Sequence, residues 1–495
     1  MSRKKKLLIN TAAGFVKQVC AVICGFILPR FMLIFYGSSV NGLISSITNY
    51  LSFISLLDMG VGAVVQANLY RPLAEKNVDQ ISRIVKSSQR FFGKLSVIFI
   101  LYIIILCFAF PLMVDFDVFF TVTLILIISI SSLAQYMFGM TYQLFLNADQ
   151  RSYVHLTMQI VTIVLNTVLA VIMMQAGASV HTVRLMTAVV YVLRPVGQMI
   201  YVRRHYNINR KIKLTDEPIK QKWNGFSQHL AAVVCQNIDI AVLTLFSSLE
   251  SVSVYSVYYN VTNGVEQIIM MAATGLESTF GNMIAKNERE KLLKTFSAVE
   301  WLVHTGVTIV FTIAAITIVP FVSVYTREIS DINYIEPVFG AILVTAYGAL
   351  CLRIPYFRVI KAAGHFKETQ NGAYISAGIN VVLTVALVFR FGLVGAAIGT
   401  LAAMLYHTCY FVWYLRKNIL ERPARYFMIY IVIDIFIAAC SVFLSRLFVM
   451  SVSSYLEWVF LALLTTGIVI AISAVVNLIF CRSQIKNVIN LLKHS

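Results

Sequence analysis

Charge is scarce in this sequence, and acid is scarcer still. Charged residues make up 13% of the 495, with 22 Asp and Glu against 40 Lys and Arg. At 59% hydrophobic residues and a mean hydropathy of +0.80, a soluble globular protein is excluded, because a chain of this size cannot hide so much apolar surface. The net charge of +18 does not point to nucleic acid, since the basic residues are spread through short loops between apolar runs. They read as topology determinants and as contacts for anionic membrane lipids. The eight cysteines (20, 24, 107, 235, 351, 409, 440 and 481) all lie in or at the ends of those runs. They build no disulfide framework, and Cys20 and Cys24, which share a helix face, read as small apolar residues. No P-loop, metalloprotease or catalytic-triad signature is present, so no enzyme is expected. A membrane polymerase or glycosyltransferase would need a large outer loop of convergent polar groups, and the sequence has none. Asp115-Phe116-Asp117 mimics a sugar-nucleotide motif but falls in an outer connection, away from cytosolic nucleotide sugars. Gly60-Val61-Gly62 lacks the third glycine and the strand–helix setting of a dinucleotide loop. The basic start Ser2-Arg3-Lys4-Lys5-Lys6 precedes an apolar run of roughly 30 residues, too long for a cleavable signal peptide.

What the sequence has in abundance is membrane-length apolar runs. Fourteen can be read: 7–36, 39–68, 91–114, 119–147, 153–176, 182–202, 223–247, 251–284, 296–325, 334–360, 372–389, 393–415, 426–445 and 458–480. Helix is the expected form, because backbone polar groups in lipid must be satisfied within their own segment. Of the 40 Lys and Arg, 32 fall in the eight terminal or connecting segments that lie on one side, counted with the span ends that border them. By the positive-inside rule that side is cytoplasmic, with both termini inside. Arg184, Arg327, Arg390 and Arg446 lie at span ends on the other side.

The chain also repeats itself. Residues 142–205 align with 356–419 at an offset of 214, each carrying a mid-span Asn (Asn166, Asn380). The block 37–80 matches 249–291 at an offset of 211 to 212. Spans one to six therefore resemble spans seven to twelve. This predicts two parallel six-helix lobes: 1–205, then a cytoplasmic linker 206–222, then 223–419. Two further helices and a cytoplasmic tail occupy 420–495. Such a plan implies a substrate path between the lobes and alternating access.

Four cations, Lys17, Arg30, Arg194 and Arg353, lie inside spans, where ionisable side chains need a functional explanation. Lys17 lies about 15 Å into span one, on a small and polar stripe with Asn10, Gly14, Ala21 and Cys24. It either lines a cavity or pairs with a buried acid such as Asp58. Arg30 follows Pro29, and Arg194 precedes Pro195. Arg358 and Lys361, at the cytoplasmic end of span ten, either meet an incoming phosphate or sit solvated. Asp58, Glu266 and Glu277 are acids within spans, and pairing with these cations is expected. Asp239, Asn380, Thr384 and Thr400 have similar depths in spans seven, eleven and twelve, which suits either a buried polar network or an ion site. Gly395-Ala396-Ala397-Ile398-Gly399 reads as a small-xxx-small helix contact.

With the six-plus-six-plus-two plan, one segment carries a resemblance over the whole chain. Leu56-Leu57-Asp58-Met59-Gly60-Val61-Gly62-Ala63-Val64-Val65-Gln66, leading into Leu69-Tyr70-Arg71-Pro72-Leu73-Ala74-Glu75-Lys76-Asn77, resembles the Wzx-type polysaccharide repeat-unit flippases of the multidrug/oligosaccharidyl-lipid/polysaccharide exporter superfamily. The resemblance implies export of an undecaprenyl-pyrophosphate-linked oligosaccharide across a bacterial cytoplasmic membrane, for capsule or O-antigen assembly, alongside polysaccharide polymerase machinery. A drug/cation antiporter of the same fold is the alternative, and a polysaccharide polymerase a lesser one. In related lipid II flippases a sodium ion is held by an acid on helix seven, an Asn and an acid on helix eleven, and a carbonyl and a Thr on helix twelve. The resemblance assigns those roles to Asp239, Asn380, Thr384, the Ala396 carbonyl and Thr400, with Thr384 standing where the pattern has an acid. Proton coupling through Asp239 or Glu266 competes with sodium, and no other cofactor is expected.

Overall fold

A computed structural model describes residues 3–58, 61–209, 212, 214, 226–448 and 452–493. Side chains at 3, 4, 58, 226–228 and 490–493 lie outside the description. Among the described residues the chain is helical, with no strand. The helices are α1 (Arg3–Ser52), α2 (Val61–Glu75), α3 (Val78–Ala109), α4 (Val118–Ala134), α5 (Met140–Ala148), α6 (Ser152–Gln175) and α7 (Val180–His205). They continue with α8 (Phe226–Phe246), α9 (Leu249–Ala272), α10 (Leu276–Ala285), α11 (Arg289–Tyr325), α12 (Pro337–Leu352) and α13 (Ile354–Ala362). The last four are α14 (Gln370–Asn418), α15 (Arg425–Arg446), α16 (Tyr455–Phe480) and α17 (Arg482–Lys493).

Among the described residues, eleven helical runs are long and apolar enough to cross a membrane. Two of them are too long for one crossing. The run Lys5–Leu57 bends at Gly37 (φ 81°) and Gln370–Asn418 bends at Gly392 (φ 51°). Both bends use the left-handed region that glycine tolerates. Dividing these runs and adding α9 gives about fourteen crossings, and the chain is a multi-pass membrane protein. Starts are set by side-chain caps. Asn77 accepts from the Gln80 amide (3.0 Å), and Asp117 from that of Phe120 (2.6 Å).

Three spans read as continuous are in fact broken. Span two stops at Ser52, passes through a 3₁₀ turn (Phe53–Asp58) and resumes as α2. Span eight is α9 and α10 on either side of Gly275 (φ 114°). Span ten is α12 and α13, meeting at Arg353 just before Pro355. Proline at the second position of a helix is tolerated, because its missing N–H needed no partner there.

These interruptions recur along the chain. Span four carries a π-helical turn at Gln135–Gly139, and the offset of 214 carries Gly139 onto Arg353. Lys76 (φ 54°) and Asn287 (φ 55°) stand 211 residues apart, and Gln150 (φ 58°) and Gly364 (φ 77°) 214 apart. The duplicated sequence therefore keeps its unusual backbone conformations in register.

The chain forms two compact units, residues 1–233 with 248–253, and 234–247 with 254–495. In the first, α1 packs on α6 and α4 on α7, over a core that includes Leu43, Ile47, Phe92, Phe99 and Phe145. The start of α9 docks against α1. A Cβ on Gly42 would stand 1.8 Å from the Leu249 carbonyl oxygen, and Asn41 Nδ2 donates to Ser253 Oγ (2.8 Å). In the second unit, α12 packs on α14, and α11 carries α15 and α16. Trp301 Nε1 donates to Asn477 Oδ1 (2.7 Å), and His304 Nδ1 meets Asp434 Oδ2 (2.6 Å). Most of the linker 206–222 lies outside the described residues.

Candidate functional site

In the second unit, four helical segments converge on Asp239. The residue is 3% exposed. Its Oδ2 accepts from Tyr255 Oη on α9 (2.8 Å) and from Thr400 Oγ1 on α14 (2.5 Å). Its Oδ1 lies 3.4 Å from Thr384 Oγ1, which is also 3.0 Å from Asn380 Oδ1. Thr400 Oγ1 lies 3.4 Å from the same Asn380 oxygen, and Asn380 Nδ2 donates to the Cys235 carbonyl (3.4 Å). The structure thus brings Asp239, Asn380, Thr384 and Thr400 together. Ala396 is buried one turn before Thr400.

Glycine makes this proximity possible. A Cβ on Gly399 would stand 2.3 Å from Thr384 Oγ1 and 2.7 Å from its backbone nitrogen. One on Gly395 would stand 2.4 Å from the backbone of Leu387. The two halves of α14 touch along these glycines, which is the packing expected of a small-xxx-small stripe.

Tyr255 escaped the sequence reading. It lies in the polar run Ser253-Val254-Tyr255-Ser256, but only the fold shows which face of α9 meets Asp239. As a donor set, the cluster is all oxygen and carries one negative charge. That composition fits a hard monovalent cation better than a soft metal.

Arg353 lies at the α12–α13 junction. Its Nη1 donates to His407 Nδ1 (3.0 Å) and lies 3.7 Å from Met404 Sδ. Glu266 is buried nearby and within electrostatic reach of Arg353, without a direct ion pair. Arg358 Nη1 and Lys361 Nζ both reach Glu277 Oε2, at 3.3 and 3.1 Å. These two cations are therefore paired ends rather than open ones, as the acid at 277 requires. A third acid went unforeseen. Glu300 is 1% exposed and is held by Arg422 and by Tyr356 Oη (2.5 Å).

The first unit has the opposite character. Its acids whose side chains are described, Glu75, Asp79, Asp115, Asp117, Asp149 and Glu250, all stand at helix ends or turns. Its helices nevertheless carry Lys17, Arg30, Arg184 and Arg194. Lys17 is half-buried and within electrostatic reach of His155, with no ion pair among the described residues. Arg194 Nε donates to Thr162 Oγ1, and its guanidinium lies 4.0 Å from the Tyr191 ring centroid. Arg184 stands near the start of α7, at the span end where the sequence places it. Its Nε is buried, with Tyr36 and Tyr191 in electrostatic reach. The Asp58 side chain lies outside the described residues, so its proposed pairing with Lys17 does too.

No family model matches this chain, and no curated protein matches it. Solved structures do. A lipid II flippase MurJ in an inward closed conformation aligns over 97% of this chain and 100% of its own, with a TM-score of 0.73 and 12% identity. An inward-facing multidrug resistance MATE family transporter of the MOP superfamily aligns over 82% of this chain and 95% of its own (TM-score 0.61, 12% identity). A MATE transporter of Vibrio cholerae aligns over 84% and 98% (TM-score 0.60, 13% identity). At these identities the likeness is one of fold: the chain has the helical architecture shared by MurJ and the MATE transporters.

Proposed function

We propose that this protein is a flippase that moves undecaprenyl-pyrophosphate-linked oligosaccharide repeat units from the inner to the outer leaflet of a bacterial cytoplasmic membrane. The observation that carries the reading is the charge of the first unit. Lys17, Arg184 and Arg194 sit within membrane helices and make no ion pair among the described residues. A pyrophosphate cannot enter hydrocarbon unpaired, and cations in a hydrated cleft offset its desolvation. Arg suits it through bidentate geometry. On this reading the head group and sugars pass through a cationic cavity by alternating access, while the polyprenyl tail stays in lipid. Arg30 and Arg353 join these cations, while Arg358 and Lys361, tied to Glu277, serve at most as an entry relay.

Asp239, Asn380, Thr384 and Thr400 would hold the coupling ion, with the Ala396 carbonyl near them. Sodium, when bound, would supply a compensating positive charge. The hydroxyls of Thr384, Thr400 and Tyr255, which now donate to the carboxylate or to Asn380, would turn lone pairs toward it. The second reading, an ion-coupled drug or cation antiporter, is favoured by one observation, the buried acids Asp239 and Glu266 in the second unit.

Complementation separates the two. The chain is expressed in a bacterium deleted for its repeat-unit flippase, and surface polysaccharide is scored. Restoration, lost on Lys17→Ala with normal membrane levels, is the expected result. Export of a cationic dye from liposomes, with no restoration and no response to lipid-linked sugar, would move the assignment to the antiporter.

A further inference from the structure

We infer that the first unit holds a site for an acidic sugar between α6 and α7, built on Arg194, Asn166 and Gln198. The inference deepens the flippase reading and rests on it for the choice of sugar.

The site is defined by buried atoms without partners. Asn166 and Gln198 are each 1% exposed. Asn166 Oδ1, Gln198 Oε1 and Arg194 Nη2 are all buried with no hydrogen-bond partner. Asn166 and Arg194 are joined through Tyr191, and Gln198 is placed beside Arg194 by helical spacing. Asn166 Nδ2 reaches Tyr191 Oη (3.4 Å), and the Tyr191 ring lies against Arg194. Arg194 in turn holds Thr162, one turn from Asn166 on α6. Gln198 follows Arg194 by one turn of α7. Leaving such groups unpaired forfeits the hydration they had in water with nothing in return, most of all for a charged one. Buried polar groups in folded proteins are normally satisfied, so their partner is missing rather than unneeded.

The orphan atoms are of two kinds. A guanidinium N–H seeks an acceptor, best an anion. The two amide oxygens seek donors. Inorganic phosphate at neutral pH serves the first well and the second poorly. A neutral sugar does the reverse. A sugar acid carries a carboxylate and several hydroxyl donors on one small frame and satisfies both.

The internal repeat sharpens the contrast. The offset of 214 carries Asn166 onto Asn380 and Arg194 onto Thr408. In the second unit Thr408 Oγ1 closes on the Ala349 carbonyl (2.9 Å), and Asn380 serves Asp239. In the first unit the same frame carries a cation, and no described acid approaches it. The duplicated scaffold has one acidic site and one basic site at matched positions.

The test uses the full chain in lipid nanodiscs, with thermal melting against D-glucuronate, D-glucose and inorganic phosphate, each to tens of millimolar at constant ionic strength. A saturable rise in melting temperature with glucuronate, larger than with glucose or phosphate, is expected. It should vanish in Arg194→Gln and Asn166→Leu, persist in part in Arg194→Lys, and be unchanged in Arg71→Gln on the exposed surface. Absence of a glucuronate effect in the wild type, or the same effect in Arg194→Gln, would overturn the site. Complementation by the same variants keeps the two readings apart. Glucuronate binding without restored polysaccharide leaves the site standing and removes the flippase. Restored polysaccharide in Arg194→Gln, with no glucuronate binding by the wild type, removes the site and keeps the flippase.

Discussion

Replacing Gly399 by Ala tests whether close helix contact builds the Asp239 cluster. The added Cβ would stand 2.3 Å from Thr384 Oγ1, 2.7 Å from Thr384 N and 3.0 Å from its Cα. Two of those three atoms are backbone, so a rotamer change cannot relieve the clash, and the two halves of α14 must separate. Overpacking of this kind costs about 1–3 kcal/mol. At about 2–4 °C per kcal/mol for a domain of roughly 200 residues, the melting temperature should fall by several degrees. Thr384 moves with the helix, so its contacts with Asp239 and Asn380 should loosen too. The control is Gly306→Ala in α11, whose added Cβ meets nothing within 4 Å. There the helix propensity of alanine predicts no loss, and a gain of up to about 1 kcal/mol. Both variants and the wild type are melted in one detergent by intrinsic fluorescence. If Gly399→Ala melts with the wild type, or Gly306→Ala falls as far, the reasoning from Cβ clearance is wrong.

Further outcomes follow from the ion pairs and the cluster. Asp239→Asn should leave the protein folded but abolish any stabilisation by sodium over potassium, read as a melting-temperature difference; a sodium effect that survives the substitution moves the ion elsewhere. Glu300→Gln removes the charge facing Arg422 at a site 1% exposed. Breaking a buried pair from one side costs about 3–5 kcal/mol, so this variant should be among the least stable single changes in the second unit, and near-wild-type melting would contradict the pairing. Glu277→Gln should cost less than about 1 kcal/mol, because its side chain is 39% exposed. A double-mutant cycle with Lys361→Gln should then show a coupling that shrinks as salt is raised.

The membrane class and about fourteen crossings were legible from hydropathy alone, because each crossing needs its own apolar run. The breaks were not. Residues 53–58, 273–275 and 353 interrupt runs that stay apolar on average despite Asp58 and Arg353, and a hydropathy window does not register a backbone turn. Gly275 and Pro355 gave only local hints. The Asp239 group was legible because Asn380 and Thr384 share a helix face and the depths of Asp239 and Thr400 match. Tyr255 was not, since its role depends on which face of α9 turns toward Asp239. Glu300 with Arg422, and His304 with Asp434, were missed because each pair joins residues more than 100 positions apart, and nothing local marks either partner.

The sequence by itself determined that this chain spans a membrane many times, that it is duplicated, and which few charges are forced into its helices. Those properties are one-dimensional: run length, offset and residue type. Tertiary structure alone decided which charges meet. It closed Glu277 on Arg358 and Lys361 and Glu300 on Arg422, packed hydroxyls around Asp239, and gave Arg194 no acid among the described residues. In a low-dielectric interior a charge is governed by its nearest partner, and proximity across helices is a property of the fold.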